Sequence, residues 1–359
     1  MRHVIKYLGS KRVLVPVLGE IATAVGASTA VDLFTGTTRV AQELKRRGLE
    51  VTATDVASYS EVLSDCYVAT DAEAVNGIEL AEEIARLNEL PGRPGYVTRT
   101  FCEASRYFQP HNGARIDAIR DAIESAHPVG SPLRHILLTS LLLAADRVDS
   151  TTGLQMAYLK SWSARSHRDL ELVAPELIPG PGHTVCGDAM ETVDRLPHVD
   201  LMYLDPPYNQ HRYFTNYHVW ETLVRWDEPE HYGIACKRAD ARDEITKSVF
   251  NVKREMPTAF ADLVSRARAD VLVVSYNDES WIGAEEMSEV LLAAGHETVL
   301  TLAFAGRRYV GARIGIHGPD GSRVGTVGRL TNVEHVFVAG PADRVERVVG
   351  VETVGAAAQ

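Results

Sequence analysis

The sequence predicts an α/β fold, and three observations lead to that prediction. A strand–turn–helix–strand pattern spans residues 28–55. Two more apolar runs, at 199–204 and 269–279, end in polar residues and indicate buried strands. Between about 60 and 180 the apolar residues instead recur at helical spacing, as in IDAIRDAIESA (116–126).

This order predicts one α/β domain that is interrupted by a helical insertion. We expect residues 1–60 and 180–340 to form the α/β domain, residues 61–179 the mainly helical insertion, and residues 341–359 a C-terminal tail. GPGH at 180–183 marks the point at which the helical pattern ends, since Gly and Pro interrupt regular structure.

The first strand–helix–strand unit has the clearest local signals. Ala30 to Phe34 indicates a short buried strand, Val40 to Arg47 an amphipathic helix, and Leu49 to Ala53 a second strand. Gly36 lies in the turn after the first strand, and Gly48 ends the helix. Because a helix connects the two strands, we expect them to be parallel with a right-handed crossover.

Two late segments also predict strands. HETVLTLAFA (296–305) and EHVFVAG (334–340) are rich in β-branched and apolar residues. Their position at the end of the chain is compatible with an antiparallel pair.

The composition excludes several classes of protein. Hydrophobic residues make up 45% of the 359 residues, enough for a large core, and the net charge of −11 argues against a protein that coats nucleic acid. The strongest apolar stretch, ILLTSLLLAA (136–145), is too short to span a bilayer and predicts a buried helix. The first residues lack the pattern of a signal peptide. We therefore expect a cytoplasmic protein with no membrane contact.

The cysteines predict neither a metal site nor a disulfide framework. The four residues are far apart and form no CxxC or Cys/His cluster. They are Cys66, Cys102, Cys186 and Cys236. Reduced cytosolic thiols are the simple interpretation.

The segment DPPY at 205–208 carries the strongest chemical signal. Pro206 and Pro207 have no backbone donor, so the turn is stiff and presents two acceptors, the Asp205 carboxylate and the Pro206 carbonyl. Two acceptors that face an exocyclic NH₂ group bind both of its hydrogens and aim its lone pair at an electrophile. Tyr208 can stack on the ring that carries this amine. The alternative is an ordinary surface turn.

Three weaker signals lie at other predicted strand ends. Gly36 lets a ligand approach the backbone. Asp55 follows Asp32 by 23 residues, close to the spacing at which an acidic residue binds ribose hydroxyls in βαβ nucleotide sites. Asp188, in GDAMETV, can accept a hydrogen bond from the amine of a bound adenine. Each also has an ordinary interpretation, as a βα turn, a strand-end cap and a helix N-cap.

The order of these segments resembles that of the D12-class, Dam-like family of N6-adenine-specific DNA methyltransferases. The similar segments are IKYLGSKR (5–12) for motif X, DLFTGTTRVA (32–41) for motif I, ATD (53–55) for motif II, GDA (187–189) for motif III, DPPYN (205–209) for motif IV and VLVVSYNDE (271–279) for a later strand. Motif I commonly reads FxGxG or FxGSG. This chain has FTGTT, with Thr38 in place of the second glycine.

The resemblance implies a Rossmann-like, S-adenosylmethionine-dependent methyltransferase sheet, with a target-recognition region at 61–179. Double-stranded DNA is the implied substrate, and its target adenine is flipped out of the duplex. The implied cofactor-binding residues are Lys6, Tyr7, Gly9, Ser10, Lys11, Asp32, Phe34, Gly36, Asp55 and Asp188. The implied catalytic residues are Asp205, Pro206, Pro207 and Tyr208. The resemblance leaves open whether a cognate restriction endonuclease is a partner. One domain that acts on one strand is compatible with a monomer.

Three segments offer contacts to nucleic acid. They are QMAYLKSWSARSHRDL (155–170), the aromatic-rich HRYFTNYHVWETLVRW (211–226) and the basic CKRADARDEITKSVFNVKR (236–254). The candidates for phosphate or base contacts are Lys160, Arg165, Arg168, Tyr213, Lys237, Arg238 and Lys247. The alternatives are a packed helix, since Tyr213, Tyr217 and Trp220 have helical spacing, and a solvated charged loop.

Other functions fit the sequence less well. DPPY also occurs in ribosomal RNA base methyltransferases, but an insertion between motifs II and III after motif X favours the DNA family. Cytosine-N4 methyltransferases usually carry SPPY. A silent nucleic-acid-binding module would not need Asp55, Asp188 and an intact DPPY. A nicotinamide oxidoreductase would carry GxGxxG after the first strand, and that pattern is absent.

Overall fold

The computed structural model describes most of the chain. The described residues are 5–7, 11, 13–207, 213–243, 246–278, 280–307 and 331–351. Of the residues singled out above, Gly9, Ser10 and Tyr208 lie outside them.

The described elements alternate between strands and helices at both ends of the chain. The strands are β1 (Thr29–Asp32), β2 (Glu50–Asp55), β3 (Gly182–Cys186), β4 (Val199–Leu204), β5 (His231–Tyr232), β6 (Lys237–Arg238), β7 (Ala269–Asn277), β8 (Thr298–Arg307) and β9 (Thr331–Gly340). The helices are α1 (Val15–Ala24), α2 (Arg39–Arg46), α3 (Ser58–Ser64), α4 (Gly77–Asn88), α5 (Pro110–Ala126), α6 (Arg134–Val148), α7 (Ala189–Thr192), α8 (Tyr213–Asn216), α9 (His218–Arg225), α10 (Met256–Arg266), α11 (Ala284–Ala293) and α12 (Ala342–Glu346).

Seven of the described strands form one mostly parallel sheet. Their order is β3-β2-β1-β4-β7-β9-β8. Strand β2 pairs in parallel with β3, and β4 pairs in parallel with both β1 and β7. The last two strands, β8 and β9, are antiparallel to each other, and β9 is antiparallel to β7. The predicted α/β class and the late antiparallel pair are both confirmed.

The central strands are apolar on both faces because a parallel sheet is covered on both sides. Val199 and the run 201–204 of β4 are buried, as are residues 271–277 of β7. Polar residues follow where these strands end. The carboxyl ends of parallel strands meet at one edge of a sheet, which is the usual place for a ligand site in such folds.

The chain divides into two compact units. Unit 1 contains residues 1–10, 35–188 and 211–248, and unit 2 contains residues 11–34, 189–210 and 249–359. These boundaries differ from the predicted domains, because residues 35–60 group with the helical segment.

Unit 1 contains the helical segment predicted as an insertion. Helix α6 carries the apolar stretch ILLTSLLLAA and is buried almost all round, as expected for a helix in the core of a domain. In the middle of α5, the Asp117 carboxylate accepts backbone hydrogen bonds from Gly95, Val97 and Thr98 at 2.8–2.9 Å. None of the helices in the described residues is both long and apolar enough to cross a membrane.

Unit 2 extends beyond the predicted domain end. Residues 342–350 form α12 and a short 3₁₀ turn, and Val345 and Val348 are 2% and 0% exposed. Burial of these side chains holds the segment against the unit, so the predicted tail does not include residues 342–351. Residues 352–359 lie outside the described part of the chain.

Candidate active site

The candidate catalytic turn begins where β4 ends. Leu204 pairs with Val274 of β7, so Asp205 follows at the level of Ser275. Pro206 is buried and Pro207 half-buried. The prolines allow no further ladder hydrogen bonds from their own nitrogens, which ends the strand and turns the carboxylate out of the sheet.

The Asp205 carboxylate is bound by a buried lysine. The Lys11 ammonium lies 3.1 Å from Oδ1 of Asp205, and the Lys11 side chain is 7% exposed. The same ammonium lies 3.1 Å from Oε2 of Glu334 on β9. Lys11 therefore bridges two carboxylates that come from different segments of unit 2, residues 189–210 and 249–359.

Two hydroxyl groups, Tyr203 on β4 and Ser275 on β7, belong to the strands around Asp205. Their oxygens are 2.6 Å apart, and either hydroxyl can be the donor in that contact. The Ser275 hydroxyl lowers the pKa of the Asp205 carboxyl.

Burial, and to a smaller extent the charge of Glu334, raise the pKa of Asp205 to about 6 against the opposing effects of Lys11 and Ser275. The raised pKa means that desolvation outweighs the attraction of the ammonium. A carboxylate with a pKa near 6 is ionised at neutral pH and is still basic enough to take up a proton.

The end of β1 contributes two predicted residues of unit 2. Asp32 is 1% exposed and pairs in register with Tyr203 of β4. Phe34 is half-buried and packs edge-on against Phe250, with ring centroids 5.3 Å apart. The strand therefore places an acidic and an aromatic side chain close to its carboxyl end.

In unit 1, the turn before α2 has a left-handed backbone at two residues. Gly36 has φ +51° and Thr38 φ +61°. Glycine adopts this conformation without strain, whereas threonine does so at a cost of about 1 kcal/mol or more. Gln42 donates a hydrogen bond of 2.8 Å to the Thr38 hydroxyl. This contact offers a partial compensation for a threonine at the position where motif I commonly has glycine.

Asp55 at the end of β2 holds this turn. Its Oδ2 accepts a 2.9 Å hydrogen bond from the Gly36 backbone N–H, and its Oδ1 accepts one of 3.0 Å from the Ala57 N–H. Ser60 donates to the Gly36 carbonyl at 2.6 Å. Burial raises the pKa of Asp55, although the backbone hydrogen bonds oppose that shift.

Tyr7 lies against the glycine turn within unit 1. A Cβ atom at Gly36 would be 3.1 Å from the Tyr7 ring. The Tyr7 ring stacks on Tyr217 at 4.6 Å and on Tyr213 at 5.3 Å between centroids. Tyr217 is fully buried, as the helical spacing of the aromatic segment predicts, while Tyr213 is half-buried.

Lys6 and Asp188 are the remaining described cofactor candidates. The Lys6 ammonium binds the Asp146 backbone carbonyl at 2.5 Å and the Asp149 carboxylate at 3.0 Å. These contacts join Lys6 to the end of α6. Asp188 is half-buried two residues after β3, and the neighbouring Gly187 donates to the Asp55 carbonyl at 2.9 Å.

Two of the predicted nucleic-acid contacts have their donors bound within the protein. Arg238 is 1% exposed, and its guanidinium donates to Asp227, Asp240 and Thr222 through all five of its N–H groups. Arg165 donates to the Asp149 carboxylate and to backbone carbonyls of the same loop. These contacts argue against direct phosphate binding by Arg238.

The other candidates are more accessible. Lys160 and Arg168 are exposed, and Lys237, Lys247 and Tyr213 are half-buried. Burial lowers the pKa of Lys237. Exposed cations are the residues most accessible to a phosphate.

Sequence reasoning missed Glu334, Ser275 and the pairing of Lys11. Glu334 is an isolated acidic residue in the apolar strand segment NVEHVFVAG. A charged residue is rarely placed in a buried strand unless it is paired, and that pattern was the available signal. Nothing in the sequence indicates that its partner is 323 residues away.

The sheet order and the Asp-Pro-Pro turn at a strand end define a Rossmann-like methyltransferase. A family model described as D12 class N6 adenine-specific DNA methyltransferase matches residues 7–289. The chain belongs to that family. Its members are enzymes that act on DNA adenine and use a methyl donor.

Curated relatives agree with the family. Type II methyltransferase M.NlaIII of Neisseria lactamica is 31% identical over 299 residues, which cover 79% of this chain and 86% of that protein. Modification methylase StsI of Streptococcus sanguinis is 27% identical over 80% of this chain and 46% of its own length. Type II methyltransferase M.FokI of Planomicrobium okeanokoites is 28% identical over 81% of this chain and 47% of its own length. The chain thus spans about half the length of the last two.

Proposed function

We propose that the protein transfers a methyl group from S-adenosylmethionine to the N6 amine of an adenine flipped out of duplex DNA. The observation that carries this proposal is the half-buried Asp205 carboxylate, fixed by Lys11 at the end of β4 and followed by two prolines. Flipping costs a few kcal/mol. The turn offers the flipped base two acceptors whose positions are already set.

In the proposed reaction the Asp205 carboxylate and the Pro206 carbonyl accept the two N6 hydrogens. S-adenosylmethionine, when bound, supplies a methyl group on a positively charged sulfur. The N6 lone pair forms the new N–C bond while the C–S bond breaks, and the amine then loses one proton. We assign that proton to Asp205, whose pKa of about 6 allows it to return the proton to solvent at neutral pH.

The residues of the glycine turn fit the cofactor that we propose. The Asp55 carboxylate at the end of β2 is the proposed acceptor for ribose hydroxyls, and Gly36 leaves room at the backbone for a ligand. The cofactor roles of Asp32, Phe34, Asp188 and Tyr7 stay predictions. The predicted roles of Gly9, Ser10 and Tyr208 stay predictions.

Lys6 and Lys11 are proposed to act by a different route from the one that motif X implies. Both ammonium groups bind carboxylates of the protein, Lys6 at Asp149 and Lys11 at Asp205 and Glu334. We propose that they position the N-terminal segment and the catalytic carboxylate, respectively. A direct contact of either with the cofactor stays a prediction.

For DNA we propose contacts from the exposed cations of unit 1. Arg168 and Lys160 are the leading candidates, with Lys237, Lys247 and Tyr213 as further ones. Arg165 and Arg238 are proposed to hold the loops that carry these residues. Binding through phosphates would weaken as salt is raised.

The test is methyl transfer from labelled S-adenosylmethionine to duplex DNA and, in parallel, to total RNA, with the product nucleosides separated. We expect label in N6-methyldeoxyadenosine. Asp205→Ala should abolish transfer and still bind the cofactor by calorimetry, and Asp343→Ala, at an exposed site in α12, serves as the control. Label confined to ribonucleosides, or full activity of Asp205→Ala, would contradict the proposal.

The cellular setting is also a proposal. The relatives are named Type II methyltransferases and modification methylases, which supports a role in restriction-modification beside a cognate endonuclease. We propose that the enzyme acts as a monomer in the cytoplasm. Size measurement by light scattering, with and without a duplex, tests the first part.

A further inference from the structure

Lys11 is the point at which two carboxylates of unit 2 meet. Its ammonium nitrogen lies 3.1 Å from Oδ1 of Asp205 and 3.1 Å from Oε2 of Glu334. The two oxygens are therefore no more than about 6 Å apart, which is close enough for like charges to repel. Each carboxylate side chain is 20% exposed, so solvent screens this repulsion only in part.

Glu334 occupies a position where an apolar residue would normally be expected. It lies on β9 next to the buried run 336–339, and its neighbour across the ladder is Asn277 of β7, which is 7% exposed. Placing a carboxylate there costs desolvation energy unless it is paired. Lys11 supplies the partner, and Lys11 is also the cation that Asp205 uses.

We propose that Glu334 is a positioning residue for methyl transfer: it holds Lys11 beside Asp205 and keeps the Asp205 carboxylate a strong hydrogen-bond acceptor. This inference rests on the proposed function of Asp205. Neither the family match nor the motifs of the sequence assign a role to Glu334.

The physical reason is the charge balance at the ammonium. A lysine that served Asp205 alone would withdraw electron density from the carboxylate and make it a poorer acceptor for the adenine amine. Glu334 shares that ammonium and adds a negative charge nearby. Asp205 thus keeps its orientation and much of its basicity.

The remaining groups around Asp205 cannot replace Glu334. Ser275 on β7 lowers the pKa of Asp205, and its hydroxyl is hydrogen-bonded to that of Tyr203 on β4. Both hydroxyls are uncharged, so neither supplies the negative charge that Glu334 brings. Asp32 on β1 is another carboxylate that acts on Tyr203. Of the groups that act directly on Asp205, Glu334 is the one that raises its pKa through charge.

The first experiment is the pH profile of single-turnover methylation by Glu334→Gln. Glutamine keeps an acceptor for Lys11 and removes the charge. A unit charge about 6 Å away shifts a pKa by about half a unit or more. The rate should fall at low pH as Asp205 becomes protonated, and we call this part of the pH–rate profile the acid limb. We expect its midpoint to move to lower pH by at least that amount. The maximal rate should be several-fold lower, with unchanged KM for cofactor and DNA.

Two variants serve as matched comparisons. Glu285→Gln, at an exposed site in the first turn of α11, removes the same charge away from Asp205 and should keep the wild-type profile. Glu334→Asp keeps the charge on a shorter side chain, and we expect its acid limb to lie between that of Glu334→Gln and that of the wild type. A residue with only a structural role would lower stability in all cases without moving the limb.

The second experiment reads Asp205 without catalysis. The stability difference between the parent and its Asp205→Asn variant changes with pH between the unfolded and folded pKa values of Asp205. Because the folded pKa is raised to about 6, the parent should lose stability relative to the Asn variant from about pH 4 to about pH 6. In the Glu334→Gln background this loss should end at least about half a unit lower.

The two readouts separate the two claims. The wild-type enzyme could methylate DNA and Glu334→Gln could show the same acid limb. That result would overturn the role of Glu334. A wild-type enzyme without activity would count against the proposed function, and the stability titration would still decide about Glu334. An unshifted titration in the Glu334→Gln background overturns the inference in either case.

Discussion

Replacing Lys11 by methionine should move the pH range in which the enzyme works. Methionine fills a similar volume, so the change mainly removes the charge 3.1 Å from Asp205. At that distance Coulomb's law gives about 1.3 kcal/mol in water with a dielectric constant of about 80. This energy corresponds to about one pKa unit. Lys11 is 7% exposed, so the effective dielectric constant is lower and one unit is a lower bound.

The pKa of Asp205 should therefore rise from about 6 to about 7 or higher in Lys11→Met. At pH 7 the ionised fraction would fall from about nine-tenths to about one half or less. A protonated Asp205 donates where it should accept, so the amine of the adenine loses a partner. The rate at pH 7 should fall at least about twofold through this effect alone and should recover in part as the pH is raised to about 9.

The assay is single-turnover methylation of a duplex between pH 5 and pH 9.5, at saturating cofactor. Lys253→Met, at an exposed position, is the control for loss of a lysine charge. Partial recovery at high pH distinguishes a shifted carboxylate from a damaged cofactor site, which would lower the rate at every pH. An acid limb that stays near pH 6, or moves to lower pH, would refute the reasoning.

Three further predictions concern stability and DNA binding. Gly36→Ala should destabilise the fold by about 1–2 kcal/mol in urea titration, because φ is +51° and the new Cβ meets the Tyr7 ring, whereas Gly77→Ala, with open space around it, should not. Asp200→Ala should lose about 2 kcal/mol of stability at neutral pH. Hydrogen bonds from Ser28 and Thr29 outweigh partial burial and lower the pKa of Asp200 to about 2. This stability is present above about pH 4, and the difference from wild type should vanish as the pH falls from about 4 to about 2. Arg238→Met should destabilise the fold by about 1–3 kcal/mol, because it removes the buried guanidinium that binds Asp227 and Asp240, although Arg225 still pairs with both. It should leave the salt dependence of DNA binding unchanged, whereas Arg168→Ala should reduce the salt slope by about one without loss of stability. The reverse pattern in that pair would place Arg238 on the DNA.

The parts of the fold that could be predicted from the sequence are those with local causes. The β1–α2–β2 segment follows from an apolar run, a glycine turn and a helix with one apolar face. The antiparallel pair β8 and β9 was visible as two late β-rich segments. The division into units was not visible, because it depends on which helices group with residues 35–60 in three dimensions.

The site divides in the same way. Asp205, Pro206 and Pro207 were recognisable because the chemistry of the turn is written in consecutive residues. The buried state of Arg238 was not recognisable. Its partners Asp227 and Asp240 are close in sequence, and a count of charges takes them for surface residues that reduce the net positive charge of the segment. A count of charges along a segment cannot separate a surface patch from an internal ion pair.

The arrangement around Lys11 shows why a family motif gives an incomplete account of the proposed catalytic carboxylate. The motif specifies Asp205 and the turn, but the acceptor strength of the carboxylate depends on the charge of its surroundings. Those surroundings come from Lys11, near the start of the chain, and from Glu334 on β9, 323 residues later. Loss of Lys11 and loss of Glu334 should change the pKa of Asp205 in opposite directions. Lys11→Met should raise the pKa of Asp205 and Glu334→Gln should lower it, so the double variant should return the acid limb towards the wild-type position. A double variant whose limb stays with either single variant would mean that only one of the two charges reaches Asp205.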